Sequence, residues 1–187
     1  MKKTVFSTKR LVLDAVLIAL YVLLGFFKIP IGNLLRFNLA SFSVIVAAGA
    51  FGPVDGLLVG FLGEFLSQIL GPYGLTPTTL LWSLPEGARG LLLGLSVLWL
   101  ARANMCPSLR MNKETVLYLL ACVITGIIAS LLNTFALYVD SKMFGYYNDY
   151  MVFGVLLVRL SIAVVMSGMF GYVAQFILSA LRRNKSL

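Results

Sequence analysis

Apolar residues along this chain gather into six runs, near residues 10–28, 37–51, 54–70, 77–103, 114–138 and 150–181, set apart by short connections. A helix needs about 20 apolar residues to cross a hydrocarbon core of about 30 Å, and fewer when flanking groups reach outward. Each run therefore predicts a membrane-spanning helix, and together they predict an all-α integral membrane protein, a compact bundle of six transmembrane helices forming one domain over 1–187. The second and third runs are short and meet at Gly52-Pro53. Gly can end one helix, Pro can open the next, and Asp55 falls in the first turn of that next helix, where an acid is favourable. A tight helical hairpin is predicted there.

Small residues recur at helical spacing in two of the runs, as Gly56, Gly60, Gly63 and Ser67 and as Gly87, Gly90 and Gly94. Such strips are flat and permit close approach of two helices, so internal packing is the favoured reading. The first run carries a shorter element of the same kind, Ala15-Val16-Leu17-Ile18-Ala19.

Composition supports the membrane reading and sets its direction. Of the 187 residues, 60% are hydrophobic, with a mean hydropathy of +0.96, which leaves too little polar surface to coat a soluble globule. The net charge of +8 would raise nucleic acid as a partner of a soluble protein, but the basic residues are distributed as flanks of membrane spans. Lys2, Lys3, Lys9 and Arg10 precede the first run, and Arg182, Arg183 and Lys185 follow the last. Under the positive-inside rule both termini are cytoplasmic, which agrees with an even number of spans. Arg102, Arg110 and Lys113 then fall inside as well, whereas the outer connections hold only Lys28, Arg36 and Lys142. The first run is read as a retained helix of a multi-pass membrane protein, not as a cleaved signal.

Three outer connections, 29–36, 71–76 and 139–149, are rich in Gly, Pro, aromatic and amide residues. Taken singly they read as turns and interfacial belts. Together they place hydrogen-bonding and stacking groups on one face of a small bundle, which suits a lid over a ligand pocket.

Ionisable groups at bilayer depth are costly unless they face an interior, pair with one another or meet water, so Glu64, Glu86, Arg89 and Arg159 locate a polar cavity. Trp82, Glu86 and Arg89 share one helix face, Glu64 and Gln68 are one turn apart, and Gly126, Ser130, Asn133 and Thr134 form a polar stripe. The two acids and two arginines can neutralise one another inside the bundle or face a ligand, and both readings stay open. Arg89 is read towards ligand contact because Trp82 beside it offers a stacking plane. A pocket with a surplus cation at Arg36, amides and rings would suit a flat heteroaromatic ligand bearing carboxylates.

The missing chemistry narrows the function. Histidine is absent and the two cysteines, Cys106 and Cys122, show no pairing pattern, so no metal site, disulfide, cofactor or Ser-His catalysis is expected. No phosphate loop or dinucleotide turn occurs. An intramembrane enzyme using Glu64 and Glu86 as acid and base remains only as an alternative; no catalytic residue is assigned.

The hairpin turn Phe51-Gly52-Pro53-Val54-Asp55-Gly56, the alanine pair at 15 and 19, and the runs Ala47-Ala48-Gly49-Ala50-Phe51-Gly52-Pro53 and Leu75-Thr76-Pro77-Thr78-Thr79-Leu80 are similar to those of a known family. The whole chain resembles the substrate-binding S component of an energy-coupling factor (ECF) vitamin transporter. The resemblance implies capture of a vitamin from outside, in a pocket under the outer connections. It also implies that Ala15 and Ala19 face a transmembrane coupling subunit that works with two ATPase subunits, which would supply the energy this chain cannot. Within the family the chain looks most similar to the folate-specific branch, judged from Arg36-Phe37-Asn38, the Gly-Pro hairpin and the Pro77 segment. From residue chemistry and depth, Tyr73, Trp82, Tyr146 and Tyr147 are candidates for stacking. Asn38, Gln68 and Asn133 are candidates for hydrogen bonds to ring edges. Arg36, Arg89 and Arg159 are candidates for the carboxylate tail, with Glu86 in the same pocket. An S component for pantothenate or a pyrimidine precursor, or a stand-alone secondary transporter, remains open.

Overall fold

The computed structural model describes residues 8–27, 29–31, 35–72, 74–103 and 113–183, with the backbone alone at 29–31, 35–37 and 180–183. Helix α1 (Thr8–Phe26) leads into a short antiparallel ladder, β1 (Ile29–Ile31) with β2 (Leu35–Phe37). Five further helices follow: α2 (Ser41–Ala50), α3 (Pro53–Ile69), α4 (Thr79–Arg102), α5 (Lys113–Met143) and α6 (Leu156–Arg183). A π-helical turn, Tyr150–Gly154, leads into α6. Below, the end that carries the connections 70–78 and 144–149 is called the top.

The six helices are those expected, and three boundaries move. The second helix starts at Ser41 and not near 37, because Arg36 and Phe37 pair with Pro30 and Ile29 in the ladder. Asn38 Oδ1 then accepts the Ala40 N–H at 2.9 Å, closing the turn from strand to helix. The fifth helix runs on to Met143, which removes 139–143 from the expected connection. Asp140 and Ser141 are polar yet buried there: Asp140 accepts from Thr78 and Tyr146, and Ser141 Oγ donates to the Tyr138 carbonyl of its own helix. The sixth is preceded by a π turn, within which the Met151 carbonyl accepts from the Arg159 guanidinium at 2.7 Å.

Close packing of α3 on α4 is the tightest feature of the bundle. A β-carbon on Gly56 would lie 2.6 Å from the Gly90 carbonyl oxygen. One on Gly60 would strike the carbonyl of Glu86, and one on Gly94 would strike Pro53. These glycines let backbone meet backbone, which in a membrane supplies the dispersion contacts that the hydrophobic effect cannot. Gly63 belongs to a different contact: it lies flat under the ring of Tyr21, so part of the expected strip on α3 serves α1 instead of α4.

The α2–α3 hairpin turns at Gly52, whose φ of 112° lies in a region that side chains disfavour, and Pro53 opens α3. Below the polar centre, Ile45, Val46, Leu93, Val97, Leu100, Phe170 and Leu178 form the apolar core between α2, α4, α5 and α6. Among the described residues, three helical segments are long and apolar enough to cross a membrane by length and composition: Thr79–Arg102, Lys113–Met143 and Tyr150–Ser179.

Candidate functional site

Polar side chains buried at the heart of the bundle converge from three helices, α2, α4 and α6. On α4, Glu86 and Arg89 point inward one turn apart, and Pro85 between the glycine strip and the apolar face is buried with them. Glu86 Oε1 accepts a hydrogen bond from Ser41 Oγ at 2.8 Å and stands 3.7 Å from Arg89 Nη1. Ser41 is the first residue of α2, so the carboxylate also faces the positive end of that helix. Arg89 Nη2 donates to Ser167 Oγ of α6 at 2.9 Å. Glu86 Oε2 and Arg89 Nε are buried and find no hydrogen-bond partner among the described residues. The open alternative is thus resolved in part: Glu86 and Arg89 do pair, and each retains one unspent group for a further partner.

Beside this pair lies a second acid. Tyr21 of α1, wholly buried, donates to Glu64 Oε2 at 2.6 Å, and Gln68 Nε2 donates to Glu64 Oε1 at 2.7 Å. Trp82 is half-buried on α4, one turn above Glu86.

At the top, Asp140 ties two connections together. Its Oδ1 accepts from Thr78 and its Oδ2 from Tyr146, while Thr76 bonds the hydroxyls of Thr78 at 3.2 Å and Thr79 at 3.0 Å. Tyr147 donates to Asp149, meets Tyr138 edge-on with centroids 5.6 Å apart, and carries Lys142 Nζ over its ring at 3.7 Å. The hydrogen bond to the Asp149 carboxylate, helped by that residue's negative charge, keeps the phenol protonated and pushes its pKa up to about 12.

At the bottom, Arg10 donates to the Phe51 carbonyl and to Asp55 Oδ2, the latter at 2.5 Å, with Asp14 buried beside them. Arg10 thus does more than flank a span: it fastens α1 to the hairpin.

The expected site residues are divided by this arrangement. Glu86, Arg89 and the half-buried Trp82 share α4, with Gln68 on the neighbouring α3. Tyr146 and Tyr147 lie in the top connection, and their hydroxyls are engaged by Asp140 and Asp149. Arg159 is half-buried, with its Nη2 on Met151. Asn38 serves the turn into α2. Asn133 is exposed on α5, one position off the buried Thr134, and does not join the cluster. Tyr73 and the Arg36 side chain lie outside the described residues. Ala15 and Ala19 are exposed on α1.

Tyr21, Ser41, Ser167, Asp140 and Asp14 were not anticipated. Asp14 carries the signal that found Glu64, an acid in an apolar run, whereas Asp140 lies in the stretch read as a connection. The others are small or amphipathic residues whose partners come from distant helices.

Comparison with known proteins places this bundle. Residues 5–184 match the family of ECF-type riboflavin transporter S components, and the chain belongs to that family. The family is membrane-embedded, and the family and its solved neighbours are transporter S components and not enzymes. A UPF0397 protein of Leuconostoc citreum (strain KM20) is 38% identical over 98 residues, 51% of this chain and 50% of that one. A UPF0397 protein of Streptococcus pneumoniae (strain CGSP14) is 34% identical over 95 residues, 48% of each. The chain spans about half the length of the curated relatives it matches. In fold it is similar to the S component for biotin from an ECF-type ABC transporter, with a TM-score of 0.61 at 19% identity over 94% of this chain and 92% of that one. It is also similar to the S component of a bacterial ECF transporter, with a TM-score of 0.56 at 20% identity over 95% of each.

Proposed function

We propose that this chain is the vitamin-capturing subunit of an ECF importer in the bacterial cell membrane. Six helices span the bilayer with both termini in the cytoplasm, so the top of the bundle faces outward. A flat heteroaromatic vitamin enters between the top connections and settles against Trp82, Gln68, Glu86 and Arg89. A transmembrane coupling subunit docks on Ala15 and Ala19, and two ATPases drive delivery.

The family match over residues 5–184 carries this reading and makes riboflavin the first candidate. The site supports it: the unspent Glu86 Oε2 accepts and the unspent Arg89 Nε–H donates, which suits the adjacent N–H and C=O of an uncharged ring edge. Folate is the second reading, and Arg159 favours it. This half-buried cation has no carboxylate within ion-pair distance among the described residues, so it could hold an acidic tail.

Riboflavin uptake by an auxotroph expressing the chain tests the reading. Uptake is expected to require co-expression of a coupling subunit and ATPases, and to fall at least about tenfold, the loss of roughly 1.4 kcal/mol of docking, in Ala15→Leu with Ala19→Leu. Uptake that persists without ATPases contradicts it.

A further inference from the structure

Helix α1 is attached to the bundle in an unusual manner. Its fully buried positions are Asp14, Tyr21 and Gly25, with Leu17 and Leu24 partly buried, whereas Leu11, Val12, Val16, Leu20 and Leu23 are exposed. In a bilayer exposed apolar residues exert no pull towards neighbouring helices, so specific contacts decide where such a helix sits. Two polar fastenings do this here. Arg10 joins α1 to Asp55 and Phe51 at the bottom, and Tyr21 joins it to Glu64 nearer the top. Ala15 and Ala19 lie between them on the opposite, exposed face.

The upper fastening does not end at Glu64. The carboxylate uses one oxygen for Tyr21 and the other for Gln68, one turn further towards the top of α3. Gly63 and Gly25 let the two helices close around it: a β-carbon on Gly63 would lie 2.7 Å from Tyr21 Cγ, and one on Gly25 would lie 3.0 Å from Ser67 Oγ. A rotation or slide of α1 therefore has to break the phenol–carboxylate bond, and a buried bond to a charged acceptor is expensive to leave unmade.

We infer that Gln68, Glu64 and Tyr21 form a relay that couples occupancy of the vitamin site to the placement of α1, with Tyr21 as the positioning residue for the partner-facing surface. This rests on the proposed capture of a vitamin at the top and docking of a coupling subunit on α1. The two states differ at one amide. In one, Gln68 Nε2 donates to Glu64; in the other it donates to the ligand, and Glu64 keeps Tyr21 as its donor from this triad. The change in the carboxylate's hydrogen bonding alters its hold on the phenol, and α1 shifts by the freedom that bond allows. Both sites thus bias one element, as thermodynamic coupling requires.

The test measures the affinity of the coupling subunit, in complex with its ATPases, for the full chain in nanodiscs, with and without saturating riboflavin. Folate replaces riboflavin if direct titration assigns folate. In the wild type the two affinities are expected to differ by about fivefold or more, the lower range of allosteric couplings. Tyr21→Phe is expected to keep saturable vitamin binding, weakened because Glu64 then gives up its remaining triad donor to the ligand, while the ratio collapses towards one. Saturable vitamin binding also shows that the variant is folded. An unchanged ratio in Tyr21→Phe, a wild-type ratio of one, or complete loss of vitamin binding in Tyr21→Phe overturns the relay. A wild type that binds neither vitamin overturns the functional reading itself, and the relay with it.

Discussion

A β-carbon on Gly60 would strike the backbone carbonyl of Glu86, so the residue that brings a carboxylate into the polar centre is also the one on which α3 rests. Gly60→Ala must therefore push α3 from α4 and move Glu86 away from Ser41 Oγ. It is expected to cost about 1–3 kcal/mol, the range for overpacking a tight contact, and to weaken vitamin binding in the same variant. Thermal unfolding in detergent and a vitamin titration check the two effects; unchanged values in both would show that the helices tolerate separation.

The Glu86–Arg89 pair makes a prediction about its members taken singly and together. Glu86→Leu strands a buried guanidinium, and the expected loss is about 3–5 kcal/mol. Adding Arg89→Met removes the stranded charge and is expected to restore most of that stability while vitamin binding stays lost. Unfolding of both variants, beside the wild type, measures the difference.

At the opposite end, Arg10→Ala leaves Asp55 and Asp14 buried without their cation and frees the Phe51 carbonyl. The expected loss is about 1.5–3 kcal/mol, the range for hydrogen bonds to charged groups, with α1 more readily cleaved by protease. Both bonds come from one guanidinium nitrogen, Nη2, so Arg10→Lys should recover part of this, limited by the shorter reach of the ammonium. Full recovery would mean that charge alone matters there.

Tyr147 supplies a pH prediction. Its phenol pKa is raised from 10.0 to about 12 by Asp149, so the hydrogen bond holds the top connection below pH about 10 and is lost as pH rises through about 12. Asp149→Asn is expected to return the ionisation towards the ordinary tyrosine range. Phenolate absorbance, taken as the difference from Tyr147→Phe, follows it.

Much of this bundle was legible because long apolar runs leave a coarse signal. A run such as 114–138 reads as one long apolar helix, Gly52-Pro53 marks a turn, and glycines at 56, 60, 90 and 94 mark close approach. The polar centre was legible only where a residue was out of place in an apolar run, as with Glu64, Glu86 and Arg89. Tyr21 and Ser41 looked ordinary in a helix and at a helix start, and their roles come from partners 43 and 45 positions away. Asn133 misled for the opposite reason: one position of error around a helix turns a side chain through about 100°, enough to move it from the interior to the surface. The extension of α5 past 138 brings Asp140 to partners outside the helix, Thr78 and Tyr146, and the π turn before α6 carries a side-chain contact, Arg159 with Met151, that no apolar pattern announces.

Fluorescence of Trp82 and Trp99 during titration of the purified protein tests the central claim most directly, because only Trp82 lies beside the polar centre while Trp99 is exposed near the far end of α4. Riboflavin and folate are compared, with pantothenate and thiamine as controls. Saturable quenching by riboflavin is expected, abolished in Trp82→Phe, weakened at least about tenfold in Arg89→Ala, and unaffected in Trp99→Phe. Folate alone giving that pattern would keep the site and change the vitamin. No saturable response to any of the four in folded protein, or quenching that survives in Trp82→Phe, would contradict vitamin capture at this site.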